Sequence, residues 1–160
     1  LAEGLAYLHS HGITHGNLCT KKVLIDKDGK PVICGYGLCP ILGPVANTTS
    51  LFSFPIRFSA PEYFSDESGA SSVRTTAGDV YAFSMVMLEI ITGHEPYYTL
   101  PTEHAVFKHI LRGQGPTRSD YWTIADRTWT LLTSLWDQSP CLRPAMSDVV
   151  ISLVQMCAVI

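Results

Sequence analysis

A mainly α-helical domain carrying one small β-hairpin is the fold class this sequence predicts, on three observations. Apolar residues recur at helical spacing in four stretches: Leu1–His9, Glu103–Arg112, Ile124–Asp137 and the residues after Pro144. A fifth stretch, Ala77–Thr92, is apolar almost all round, as befits a helix in the middle of a helical domain. Two short runs, Val23–Ile25 and Pro31–Cys34, flank the polar turn Asp26-Lys27-Asp28-Gly29-Lys30, the pattern of a hairpin.

The bulk properties narrow the function classes. At 160 residues the chain is one domain's worth and long enough to bury a core. It is 46% hydrophobic and carries a net charge of −3, which argues against disorder and against a basic nucleic-acid footprint. The longest apolar tract, Val149–Ile160, is interrupted by Ser152 and Gln155 and is too short to span a bilayer. Five cysteines (Cys19, Cys34, Cys39, Cys141, Cys157) form no CxxC pair, so free thiols in a reducing, intracellular and cytoplasmic setting are expected. No basic, apolar leader opens the chain and Leu1 is not methionine, so the expectation is a chain that begins mid-sequence.

Taken in order, Leu1, Leu5 and Leu8 share one face of a helix that ends at Ser10-His11-Gly12, with its start expected upstream. Gly12–Thr14 and Val23–Ile25 read as strands, which leaves the polar residues between them on a pinned loop, where chemistry is usually placed. Leu38–Ser59 is rich in Gly, Pro, Ser and Thr, and a loop of that length is normally functional or mobile. Ala60–Phe64 reads as a short helix with Pro61 in its first turn, and Ser65–Arg74 as polar surface loop. Gly93 suits the C-cap of the central helix. Beyond it, Val106, Phe107, Ile110 and Leu111 share a face. So do Trp129, Leu132, Leu135 and Trp136, and then Met146, Val149, Val150, Leu153 and Cys157. His9, His11 and His15 lack a carboxylate or cysteine to complete a metal ligand set, so no metal site is expected.

The order of these segments resembles the C-terminal lobe of a protein kinase, with a tyrosine-kinase-like flavour. His15-Gly16-Asn17-Leu18 stands in the place of the family's His-Arg-Asp-Leu catalytic loop, Gly35-Tyr36-Gly37 in that of Asp-Phe-Gly, and Ala60-Pro61-Glu62 is the Ala-Pro-Glu motif intact. Asp79–Ser84 resembles the start of the buried central helix and Leu142-Arg143-Pro144 the late arginine motif. The resemblance implies a kinase domain over 1–160 of which only the C-lobe is present and the N-lobe absent. Its catalytic loop would be 13–25, its activation segment 35–62 and its central helix about 77–92.

What the resemblance implies about chemistry is set by four departures. The position of the base that accepts the substrate hydroxyl's proton is Asn17, whose amide is no base at neutral pH; losing a general base costs about 10²–10⁴ in rate. The two Mg²⁺-holding positions are Lys22 and Gly35, and neither supplies a carboxylate. The phosphate-contacting lysine is Cys19. Over these positions the family's Asp, Lys, Asn and Asp sum to −1, whereas Asn17, Cys19, Lys22 and Gly35 sum to +1. A lysine about 4 Å from a divalent ion, at an effective dielectric of about 20, is repulsive by roughly 8 kcal/mol before screening. Gly16 replaces the arginine that reads a phosphorylated activation loop, although Thr48, Thr49, Ser50 and Ser53 could still carry phosphate.

The positions expected to be retained are structural. His15 and Tyr36 match a stacked hydrophobic column that Asp79 anchors, and Glu62 and Arg143 match a buried ion pair. Leu24, with Val86 and Ile90, matches the column that faces adenine when an N-lobe is present. The expectation is therefore a pseudokinase with no cofactor of its own, ATP and Mg²⁺ belonging to the family resemblance only. Its partners would be other proteins, held by the Glu103–Arg112 helix and the activation segment, with no nucleic acid and no membrane. The alternatives are a weakly active ATP-dependent Ser/Thr kinase within a longer chain, and a non-functional truncated product with an exposed Leu24-side apolar patch.

Overall fold

The computed structural model describes residues 1–36, 55–64 and 73–158. The expected long loop therefore lies outside the described residues from 38 to 54, with Cys39, Thr48, Thr49, Ser50 and Ser53. Most of the polar loop after Phe64 does too. The described residues form five α-helices, α1 (Ala2–Ser10), α2 (Thr76–Thr92), α3 (Glu103–Leu111), α4 (Asp126–Leu135) and α5 (Met146–Cys157), and one antiparallel pair of strands, β1 (Val23–Ile25) and β2 (Pro31–Ile33). The fold is mainly α with a small β-hairpin.

The centre is α2. It starts where the Thr75 hydroxyl accepts the Gly78 N–H at 3.1 Å and stops where Gly93, at φ 72°, takes the left-handed cap. Every residue from Gly78 to Val86 is buried, and so is Leu88. Such a helix is stabilised by tertiary packing rather than by a polar face. It is covered by α4, by the 3₁₀ turn Ile56–Phe58 and by the 3₁₀ turn Thr20–Lys22 that leads into β1, while α1 lies against α5. The all-round burial fails at the C-terminal end, where Ile90 is 61% exposed and Ile91 is 46% exposed. These two, with Leu1, Met87, Leu153 and Val154, line an open apolar cavity of about 440 Å³ between α1, α2 and α5.

The expected strand Gly12–Thr14 does not form. Its backbone closes α1 instead: Gly12, at φ 69°, donates to His9 O, and Ile13 donates to Leu8 O, both at 3.0 Å. That pair of bonds is a Schellman cap, which consumes the N–H groups a strand would have offered. The hairpin itself pairs Val23 with Ile33, Leu24 with Val32 and Ile25 with Pro31. Its turn is fastened by Asp26, whose Oδ1 accepts the Asp28 and Lys30 N–H groups at 2.9 and 2.8 Å. On α3 the expected apolar face is narrower, since Val106 and Ile110 are buried but Leu111 is 47% exposed; on α5, Cys157 is likewise exposed.

Among the described glycines, the tightest surroundings are those of Gly78, where α2 meets the 3₁₀ turn Pro61–Tyr63. A Cβ on Gly78 would overlap the Tyr63 hydroxyl, which itself accepts the Thr75 N–H at 3.2 Å. Gly78→Ala is expected to destabilise the domain by about 1–3 kcal/mol or more through overpacking. At Gly4 on α1 a Cβ meets only Ile33 Cδ1 at 3.6 Å, an ordinary contact, so Gly4→Ala is expected to stabilise by up to about 1 kcal/mol. Thermal melting of the two variants should move in opposite directions.

Candidate functional site: a pinned loop with a lysine over Gly35

The loop between α1 and β1 is held from below by Asp79 in the first turn of α2. This carboxylate is 1% exposed. Its Oδ2 accepts the His15 N–H at 2.7 Å and its Oδ1 accepts the Gly16 N–H at 2.8 Å. His9 Nε2 lies 3.0 Å from Oδ2 and, facing a carboxylate, is its third donor. Hydrogen bonds to an ionised acceptor are the stronger kind, at about 1.5–3 kcal/mol each. Gly16 sits at φ 76°, a left-handed conformation that an arginine would adopt only with strain.

His15 is fully buried, and its two partners fix its protonation. Nδ1 accepts the Asn17 N–H and Nε2 donates to the Cys34 carbonyl, each at 3.2 Å, so the ring is the neutral Nε2–H tautomer. Burial pushes its pKa below the ordinary 6.5; the Asp79 charge opposes the shift and the Lys22 charge adds to it. This is a satisfied core histidine that ties the loop to the end of β2.

The four degenerate positions separate. Cys19 is buried at 6% exposure and sits at the N-cap position of the turn Thr20–Lys22. Asn17 Oδ1 is buried without a hydrogen-bond partner among the described residues. It borders a gap of about 10 Å³ shared with Pro55, Ser59 and Asp79, room for about one water. Lys22 and Gly35 come together: a Cβ on Gly35 would lie 3.4 Å from Lys22 Nζ, 3.5 Å from Cδ and 3.7 Å from Cε. The end of the lysine lies along the glycine, and the ammonium stands beside the position from which a side chain at 35 would start. Gly35 is itself left-handed, at φ 75°.

These residues do not fit Mg²⁺. The pair offers a cation where carboxylate oxygens are needed, and among the described residues no group of three His, Cys, Asp or Glu could hold a metal. One expectation for the neighbouring columns is corrected: Tyr36 does not stack in a buried column but is 50% exposed, whereas His15 is fully buried and sealed by backbone partners. Leu24 and Ile90 are 54% and 61% exposed while Val86 is buried, in keeping with a column expected to face adenine only when an N-lobe is present.

Arg143, with a side chain of 0% exposure, meets Glu62 in a bidentate pair at 2.7 and 2.8 Å. It also donates to the carbonyls of Ala77 at 3.0 Å and Asp137 at 2.8 Å. The pair joins the Pro61–Tyr63 turn to α2 and to the chain before α5. A second clamp, which sequence reasoning missed, is Arg57. Its Nε donates to Glu103 Oε1 at 2.7 Å, and its Nη groups donate to the carbonyls of Pro96, Tyr97 and Leu100 at 2.8, 3.0 and 3.2 Å. The available signal was a lone arginine between Ile56 and Phe58, an unsuitable place for a charge unless something neutralises it. Tyr97, at φ 58°, is further held by the Tyr121 hydroxyl on its N–H (2.8 Å) and by the Tyr81 hydroxyl on its own (2.9 Å). Burial pushes Tyr81 up to about 12 and Tyr97 well above its ordinary value.

Residues 1–153 match the family described as protein tyrosine and serine/threonine kinase, and the chain belongs to that family. Over 159 residues it is 28% identical to a fibroblast growth factor receptor 2 from Dugesia japonica, covering 98% of this chain and 17% of that protein. Over 153 residues it is 29% identical to a dual serine/threonine and tyrosine protein kinase of Gallus gallus, covering 93% and 15%. The human protein of that name is 28% identical over the same length and share. The chain thus spans less than a fifth of the length of these relatives. Among the described residues, no helix is long and apolar enough to cross a membrane.

Two outcomes follow for stability. Arg143→Ala should cost about 3–5 kcal/mol, because it removes the bidentate guanidinium from Glu62 and the donor from two backbone carbonyls. Asn17→Ala should leave the melting temperature nearly unchanged, since its Oδ1 has no partner to lose. Equal effects in a denaturant titration would contradict this division. The second outcome is pH dependence. Because the folded pKa of His15 lies below 6.5, the unfolded chain binds more protons just beneath that pH, so the stability this residue confers is complete above about 6.5 and falls as the pH drops. Between pH 7.5 and 5 the melting temperature should fall less steeply in His15→Leu than in the parent.

Proposed function

We propose that this chain is the C-terminal, helical lobe of a kinase domain that no longer transfers phosphate and acts by binding other proteins. The observation that carries the reading is the Lys22 ammonium beside Gly35, where the family needs a metal-holding carboxylate. Phosphoryl transfer depends almost wholly on positioning and charge neutralisation, so a site whose metal positions hold a cation and a glycine lacks the means for it. Asn17 adds the loss of a proton acceptor. Binding is the remaining role that a folded frame of this kind supports, and the candidate surfaces are the outer side of α3 (His104, Lys108 and Arg112) and the segment between Gly35 and Glu62.

A second reading keeps weak kinase activity within a longer protein. It is favoured by the intact anchors: Asp79 on the loop backbone and the Glu62–Arg143 pair. A third, a truncated product without function, draws on the exposed apolar side chains of Leu24, Ile25, Val32 and Tyr36. A phosphotransfer assay with labelled ATP, Mg²⁺ and a generic protein substrate separates the first two. No transfer above the protein-free blank is expected; Mg²⁺-dependent transfer that disappears in Asp79→Asn would overturn the proposal in favour of the second.

A further inference from the structure

We propose that the outer face of α3 docks an extended acidic segment of a partner protein. The inference names the partner class for one of the surfaces proposed above and rests on that reading.

Position, charge and spacing carry it. His104, Lys108 and Arg112 follow one another every fourth residue, so they form one line along α3 and its C-cap. All three are exposed, and they alternate with Val106 and Ile110, which are buried, so the line runs down the side opposite the core. None of the three has an ion pair among the described residues. The one carboxylate of the helix, Glu103, is engaged by Arg57 at 2.7 Å. Like charges four residues apart repel one another on a helix, and this line stands on a chain whose net charge is −3. Leu111, 47% exposed, lies beside Lys108 and Arg112 and adds an apolar contact.

The spacing sets the partner. A helix rises about 6 Å over four residues, and an extended chain advances about 6.7 Å over two. Carboxylates at alternate positions of an extended segment therefore meet the line in step. A short acidic segment is favoured over a large polyanion, because the net negative charge of the chain repels a duplex or an anionic bilayer beyond the reach of the line itself. A single exposed leucine is also too little apolar area to enter a bilayer.

The test is fluorescence anisotropy of a labelled peptide of alternating Glu and Ser, titrated with the protein. The peptide should bind, and its Gln–Ser counterpart should not. The dissociation constant should rise about tenfold or more from about 0.1 M to about 1 M sodium chloride, over which the Debye length falls from about 10 to about 3 Å. Lys108→Glu with Arg112→Glu should weaken binding by about tenfold or more. Lys108→Gln with Arg112→Gln, a gentler change to the fold, should weaken it in the same direction. Lys27→Glu with Lys30→Glu, both exposed in the hairpin turn, alters the net charge as much as the first pair and should leave binding within about twofold. No binding of the Glu–Ser peptide, undiminished binding in either α3 pair, or an equal loss in the hairpin pair would overturn the proposal. So would tighter binding of a DNA duplex or of phosphatidylserine vesicles through Lys108 and Arg112. The readout is peptide binding without ATP, so it fails separately from the phosphotransfer assay.

Discussion

Everything near the candidate site depends on one buried carboxylate. Asp79 accepts from the backbone of His15 and Gly16 and from the ring of His9, so α2, α1 and the loop before β1 meet at two oxygen atoms. A buried charge is tolerable only when it is saturated with donors, and here α1 and the loop supply three of them to a carboxylate on α2. The loop cannot shift without leaving that charge unsatisfied. His15 extends the hold to β2 through the Cys34 carbonyl, while Arg143 and Glu62 do the same for the Pro61–Tyr63 turn. The frame is fixed by polar groups that the low-dielectric core makes costly to abandon.

On that frame the electrostatics of the site are inverted. The family's arrangement gathers carboxylates to hold metal, whereas the lysine here turns its ammonium onto a left-handed glycine. The two departures are linked sterically as well as electrically: a larger residue at 35 would crowd the Lys22 side chain, and the glycine suits the left-handed backbone. Read separately, each is one substitution. Together they describe one rebuilt corner of the fold.

Much of the fold was legible in the sequence because burial imposes period. The run from Val80 to Leu88 could only be a central helix, and its end at Gly93 follows from the left-handed cap. Gly12–Thr14 was misread because a β-branched pair after glycine suits a strand and a Schellman cap equally, and only the α1 carbonyls decide between them. Tyr36 was assigned to a buried column by resemblance, but burial is a property of what lies above a residue, and its side chain is half exposed. At the site, the identities of Asn17, Cys19, Lys22 and Gly35 stood in the sequence, but the meeting of Lys22 with Gly35 did not. Thirteen positions apart, they are joined only by the hairpin's register. Arg57 escaped notice for a similar reason, since three of its four close acceptors are backbone carbonyls, which leave no mark on composition.

Tyr97 has a bearing on how the domain comes apart. Its left-handed backbone is the only one among the described non-glycine residues, and it is gripped at the N–H, the carbonyl and the hydroxyl by Tyr121, Arg57 and Tyr81. Those three grips come from the connector before α4, from the turn after residue 54 and from α2. Releasing the connector between α2 and α3 therefore means undoing contacts with three elements together. Slow amide exchange at Tyr97 would then report the opening of the helical assembly as a whole rather than the fraying of a surface loop.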